Sequence, residues 1–247
     1  MLKIACCGKS DVGMKRTNNE DAFLVEVDLG LTGLADGMGG AAAGEIASHF
    51  FTDAAIEVFS DLTVNTGNKS DALDPIGRSF DLANRRILSH VEENPAHRGM
   101  GCTAELLALN KRSYYLGHVG DSRTYLFRAK ELRQLTRDHS FVQDLVDKGV
   151  ITPEEARTHR MRHVIMRAVG TGESLAVDLM KGEVEPGDLF LLCSDGLTDM
   201  VEDDVIRQIL SMPMELSRRA GELIEAAKSA GGFDNITVVL SEVLSES

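Results

Sequence analysis

The feature that most constrains this chain is a set of short apolar runs that arrive in blocks instead of alternating with helices. Ala22 to Val27, Leu31 to Ala35, Thr103 to Leu109, Tyr114 to Val119, Thr124 to Arg128, Leu189 to Cys193 and Ile236 to Leu240 are rich in aliphatic, β-branched or aromatic residues and are bounded by Gly and Asp, as strands are. Several are apolar at nearly every position, which suits strands buried on both faces, as in sheets stacked on each other with helices outside. The absence of strand–helix alternation disfavours a doubly wound sheet and favours α+β layering.

Helical spacing appears in separate blocks. Ile46, Phe50, Ala54 and Val58 form one apolar stripe and Ile76, Phe80, Ala83, Ile87 and Val91 a second, predicting two long amphipathic helices. A third is expected near the C-terminus from Leu216, Ala220, Leu223, Ile224 and Ala227, with Pro213 in its first turn. Ser140 to Ala156 reads as two short helices, the second opened by a capping box at Thr152 and Glu155 with Pro153 at the first helical position. This is an inserted helical flap, spanning about residues 138–170.

At 247 residues without repeats, low-complexity tracts or a Pro- or Ser-rich linker, the expectation is one domain over 1–247. No apolar run reaches the length of a membrane span, and Met1 to Gly8 is too short for a secretory core, so a soluble, cytoplasmic chain is expected. A formal net charge of −13 opposes binding to nucleic acid and to anionic membranes, both of which recruit Lys and Arg clusters. Cys6, Cys7, Cys102 and Cys193 lack zinc-site spacing and are read as reduced core thiols. None is followed by a glycine-rich segment ending in arginine, so thiolate catalysis is not indicated.

Most of the 39 carboxylates need only a solvated surface as explanation. Five acidic spots are different, each at the end of an expected strand beside glycine or a small polar residue: Arg16 through Glu20-Asp21, Asp36-Gly37-Met38-Gly39-Gly40, Gly120-Asp121-Ser122-Arg123, Ser194-Asp195-Gly196 and Gly232-Phe233-Asp234-Asn235. Singly, each is a turn signal. Together they offer oxygen ligands to hard divalent cations such as Mg2+ and Mn2+.

In this order, from Ala5 to Leu240, the motifs resemble the metal-dependent Ser/Thr protein phosphatases of the 2C type, especially the compact bacterial members. The specific part is Arg16-Thr17-Asn18-Asn19-Glu20-Asp21 followed by the segment from Asp36. Leu135 to Ser140, Ile151 to Arg157 and Arg167-Ala168-Val169-Gly170 resemble the bacterial flap. The resemblance implies an α+β, four-layer α-β-β-α sandwich with two mainly antiparallel sheets flanked by helix pairs. It implies two Mn2+ or Mg2+ ions, with Asp36 bridging them, the Gly37 carbonyl on the first, and Asp195 and Asp234 on the second. Glu20 and Asp21 would hold metal-bound waters, Asp121 would help bind a third, weaker ion, and Arg16 would grip the substrate phosphate.

The implied reaction is hydrolysis of phosphoserine and phosphothreonine in proteins by a metal-bridged hydroxide attacking phosphorus in line, without a phosphoenzyme. Phosphorylated proteins are then the partners, and a monomer is expected. Two other readings share these residues: a catalytically silent module that binds phosphoproteins, and a phosphatase of small metabolites. Met38 stands where many eukaryotic members carry histidine, so metal-bound water is the expected proton donor. Arg160 and His163 also depart from the usual flap residues. Arg157, His159, Arg160, Arg162, His163 and Arg167 form a dense basic stretch, readable as a salt-bridged surface or as an attractor of acidic phosphorylated segments.

Overall fold

The computed structural model describes residues 3–39, 43–64, 73–110 and 112–244; Gly40 of the glycine-rich segment lies outside them. The chain runs β1 (Ile4–Asp11), β2 (Asp21–Glu26), β3 (Leu31–Met38), α1 (Ala43–Val64), α2 (Asp74–Glu93), β4 (Gly101–Cys102), β5 (Ala104–Asn110), β6 (Ser113–Val119), β7 (Arg123–Arg128) and β8 (Glu131–Gln134). It continues through α3 (Phe141–Asp147), α4 (Pro153–Thr158), β9 (Asp178–Glu183), β10 (Leu189–Cys193), α5 (Asp195–Thr198), α6 (Asp203–Ser211), α7 (Leu216–Ser229) and β11 (Ile236–Val243).

Two antiparallel sheets result, one ordered β1-β11-β10-β7-β8 and the other β2-β3-β5-β6-β9 with β4 on β3. Three apolar layers hold the sandwich. Leu34, Leu107, Leu116, Phe190, Leu192 and Val239 fill the space between the sheets. Phe51, Ala54, Phe80, Ala83 and Ile87 press α1 and α2 onto the second sheet, while Ile206, Ala220, Leu223 and Ala227 press α6 and α7 onto the first. Strands such as β10, buried at every residue, therefore face apolar side chains on both sides, which is why their sequences do not alternate.

The four-layer expectation matches this arrangement, and each expected strand is present with ends shifted by a residue or more in most cases. Pro213 is a correction. It lies before α7, whose first residue is Leu216 and whose N-cap is Glu215, so the proline ends the preceding turn instead of opening the helix. The second flap helix does begin as expected: Thr152 Oγ1 accepts from the Glu155 amide, and Glu155 accepts from the Thr152 amide at 2.8 Å.

Phe190 is fully buried between the sheets, edge-on to Tyr114 at 5.3 Å between ring centroids. Phe190→Ala is expected to lower unfolding free energy by about 3–5 kcal/mol, read from the denaturant midpoint; a change near zero would contradict this account of the inter-sheet layer.

Candidate metal centre

The five acidic spots converge at one end of the sandwich. Asp21 starts β2 and Asp36 lies near the end of β3, directly opposite it in the ladder. Asp195 follows β10 and Asp234 precedes β11, two adjacent strands of the first sheet. Asp121 sits where the chain crosses from β6 in one sheet to β7 in the other. Stacking the sheets thus brings together carboxylates separated by up to about two hundred residues.

Local geometry explains the glycines. A Cβ on Gly37 would lie 2.2 Å from the Gly44 carbonyl oxygen and 2.5 Å from that of Glu20, so only glycine allows the start of α1 to close over this strand. Gly120 has φ 114°, a conformation that side chains disfavour, and it turns the chain into Asp121. Thr103 ties two acidic segments together: its amide donates to the Asp36 carbonyl at 2.9 Å and its hydroxyl meets that of Ser122 at 2.7 Å.

The carboxylates are held by a neutral framework. Asp21 Oδ2 accepts from Ser194 and Thr237 hydroxyls at 3.0 and 2.6 Å. Asn235 accepts from the Glu20 amide and donates to the carbonyls of Val12 and Asn18. The Arg16 guanidinium, half exposed, donates through Nη2 to Asp234 Oδ2 at 2.8 Å. Oδ1 of Asp21, of Asp121 and of Asp195 are each buried with no hydrogen-bond partner.

Such orphaned acceptors are costly unless a cation receives them. Burial pushes the Asp21 carboxyl up to about 6, with Asp234 adding repulsion. Burial and then Asp138 and Asp199 push Asp121 to about 7. Asp36 and Asp195 are raised well above the usual carboxylate range by burial and by the surrounding aspartates. A set of hard oxygen donors that repel one another, with three buried oxygens lacking partners, fits divalent cations, so the residues present suit the implied metals.

Some members of the site were not legible as such. Asp138 forms a two-toothed pair with Arg123, with contacts of 2.8 to 3.1 Å, linking the flap's first residue to β7; its only signal was its place in the flap motif. Asp199, one turn after Asp195, approaches His163 Nδ1 at 3.3 Å and Arg162 Nε at 4.0 Å. His163, Asp195 and Asp199 bring ligand atoms within 4.8 Å of one another. His118 is buried on β6 against Glu105 and accompanies His139, a structural pairing; burial disfavours its charged form, but Glu105 outweighs this and raises it to about 9.

The basic stretch is largely paired. Arg157 meets Glu202 at 3.1 Å and donates to the Thr198 carbonyl, and Arg167 meets Asp178 at 3.0 Å. These contacts favour the salt-bridged reading. Arg157 and Arg162 also line a cavity of about 280 Å³ between flap and site, whose wall includes Asp121 and Asp195.

The comparisons with known proteins agree with this geometry. The family model described as "Protein phosphatase 2C" matches residues 8–227. Serine/threonine protein phosphatase PstP of Mycobacterium tuberculosis is 43% identical over 243 residues, covering 98% of this chain but 46% of that relative, so the chain spans about half its length. Protein phosphatase PhpP of Streptococcus pneumoniae is 38% identical over 235 residues, 94% of each chain. Among solved structures, the catalytic domain of PstP in complex with two manganese ions superposes with a TM-score of 0.90 at 41% identity, covering 99% of this chain and 100% of that one. The chain belongs to the protein phosphatase 2C family.

The raised carboxyls make a pH prediction. Their folded values exceed the roughly 3.9 of an unfolded Asp, so in chelated protein the protonated cluster is tolerated at low pH and its ionisation opposes folding as pH rises through the folded values. Asp195→Asn should therefore raise the Tm of chelated protein at pH 8, by on the order of 3 °C or more, and lose that advantage at pH 4. A lower Tm at pH 8 would contradict the repulsion.

Proposed function

We propose that this chain hydrolyses phosphoserine and phosphothreonine in proteins, with two Mn2+ or Mg2+ ions held by its strand-end aspartates. The observation that carries the reading is the convergence of buried, unpartnered oxygens from Asp21, Asp121 and Asp195 beside Asp36 and Asp234, next to an arginine suited to phosphate. The names of the relatives, serine/threonine protein phosphatases, support the same activity. The proposed unit is the whole of 1–247 with its flap at about 138–170, acting as a cytoplasmic monomer on phosphorylated proteins. No helix among the described residues is long and apolar enough to cross a membrane.

In this reading Asp36, the Gly37 carbonyl, Asp195 and Asp234 would hold the two ions. Asp121 takes part in a third, weaker site. When bound, the cations would supply an activated water and neutralise charge on phosphate, chemistry that suits in-line hydrolysis without a phosphoenzyme. The chain's own contribution is placement. Ser194 and Thr237 orient Asp21, whose free oxygen then faces the centre; the Asn235 amide fixes the backbone of Glu20 and the loop carrying Arg16. Arg16, anchored by Asp234, orients the phosphate, because a planar guanidinium pairs with two phosphate oxygens at once.

Release of inorganic phosphate from a phosphothreonine peptide tests the function. Activity is expected with Mn2+ or Mg2+ and none with chelator; a protein that bound the peptide without turnover, or cleaved only small phosphate esters, would overturn it. Asp36→Asn should lose hydrolysis while keeping its fold by circular dichroism. Arg16→Ala should raise KM for an aryl phosphate about tenfold or more with bound metal unchanged. An unaltered KM would remove Arg16 from the phosphate site.

A further inference from the structure

Two large apolar side chains stand in solvent beside the candidate site. Met14 is 61% exposed and Phe233 58% exposed. Scattered single apolar residues on a surface need no explanation, but neighbours at a site do. Met14 lies two residues before Arg16, and Phe233 immediately precedes Asp234. The two loops are joined: the Met14 amide donates to the Gly232 carbonyl at 2.7 Å, and Arg16 reaches Asp234 at 2.8 Å.

The presentation of these side chains is built into the backbone. Gly231 and Gly232 have φ of 136° and 54°, and this turn holds Phe233 outward at the end of α7. A Cβ on Gly232 would lie 2.8 Å from Met14 Cγ, and one on Gly231 would lie 2.7 Å from the Phe233 ring. Both side chains therefore rest over the bare glycine pair as one shelf. Lys15 Nζ sits 5.9 Å from the centre of the Phe233 ring, adding positive charge at the same edge.

We propose that Met14 and Phe233 form a subsite for a large apolar side chain flanking the phosphoresidue of the protein substrate, so that the chain selects substrates by the neighbour of the phosphate as well as by the phosphate. This rests on the protein-phosphatase reading. The shelf is continuous with the Arg16–Asp234 pair, so a peptide whose phosphate is held by Arg16 must pass it within a residue or two. An unbranched thioether adapts to varied partners and an aromatic ring supplies contact area at small entropic loss. The cations at Lys15 and Arg16 favour the phosphorylated end, and the apolar pair favours what lies next to it.

Two phosphothreonine peptides, identical except for leucine or serine on either side of the phosphoresidue, test this with Mn2+ present, alongside an aryl phosphate. The wild type should favour the leucine peptide by about tenfold in kcat/KM, through KM. Met14→Ser with Phe233→Ser should make the two peptides equivalent and leave the aryl phosphate rate as it was, while Phe233→Leu keeps the preference. Equal rates on both peptides in the wild type would overturn the subsite alone, as would a preference that survives the double variant. An aryl phosphate rate that falls in step with the peptides would also overturn it, showing damage to Asp234. A wild type that sediments as a dimer, and the double variant as a monomer, would assign the shelf to a second copy and overturn the subsite. Turnover of the aryl phosphate with neither peptide cleaved would overturn the protein-phosphatase reading itself.

Discussion

Carboxylates that repel one another inside a protein must be forced together, and the rest of this structure can be understood as what forces them. Asp21, Asp36, Asp121 and Asp195 are each raised in pKa chiefly by burial and then by acidic neighbours. No such set assembles through its own interactions, because desolvated like charges are unfavourable at this range. The favourable energy comes from the three apolar layers, which stack the sheets and align the ends of β2, β3, β10 and β11. A cation then gains what the fold has already prepared: oriented oxygen donors, of which Oδ1 of Asp21, of Asp121 and of Asp195 have no competing partner.

The framework around the acids is uncharged for a related reason. Hydroxyls of Ser194 and Thr237 and the amide of Asn235 hold the acidic segments without neutralising them. A buried lysine in their place would satisfy the carboxylates and abolish their affinity for metal. The cations of the chain meet the acids at the edge of the set, with Arg16 on Asp234 and Arg123 on Asp138. The second of these anchors the entry to the flap, where His139 and Met166 close the segment by backbone bonds to Gly120 and to each other. Flap and site therefore share the loop that carries Asp121.

Much of this was legible in the sequence because burial on both faces leaves a strong mark. β10, apolar at all five positions, is legible with its observed ends, whereas the packing of Gly37 against the Gly44 backbone is not, because no local spacing encodes it. Among the described edge strands, β2 is legible in the sequence and β1, β8 and β9 are not. β1, Ile4–Asp11, is half-buried throughout, and β9, Asp178–Glu183, alternates between half-buried and exposed positions and carries three charged residues; polar edge strands resemble loops because they resist pairing with other chains. Asp138 and Asp199 were missed because their partners are distant in sequence, and no local spacing encodes a pair such as Asp138 with Arg123. The ligand roles proposed for Asp36, Asp195 and Asp234 rest on the order of motifs, since Asp-Gly by itself specifies only a turn.

The raised carboxyls imply that this cluster holds protons without metal and exchanges them for cations. Calorimetric titration of chelated protein with Mn2+ near pH 6.5, repeated in buffers of different ionisation enthalpy, measures ions bound and protons released together. The account predicts two tightly bound Mn2+ per chain and a net release of protons, larger at pH 6.5 than at pH 8.5, where the carboxyls with pKa values near 6 and 7 are already ionised. Binding of fewer than two ions, or heats that do not vary with the buffer at pH 6.5, would contradict it.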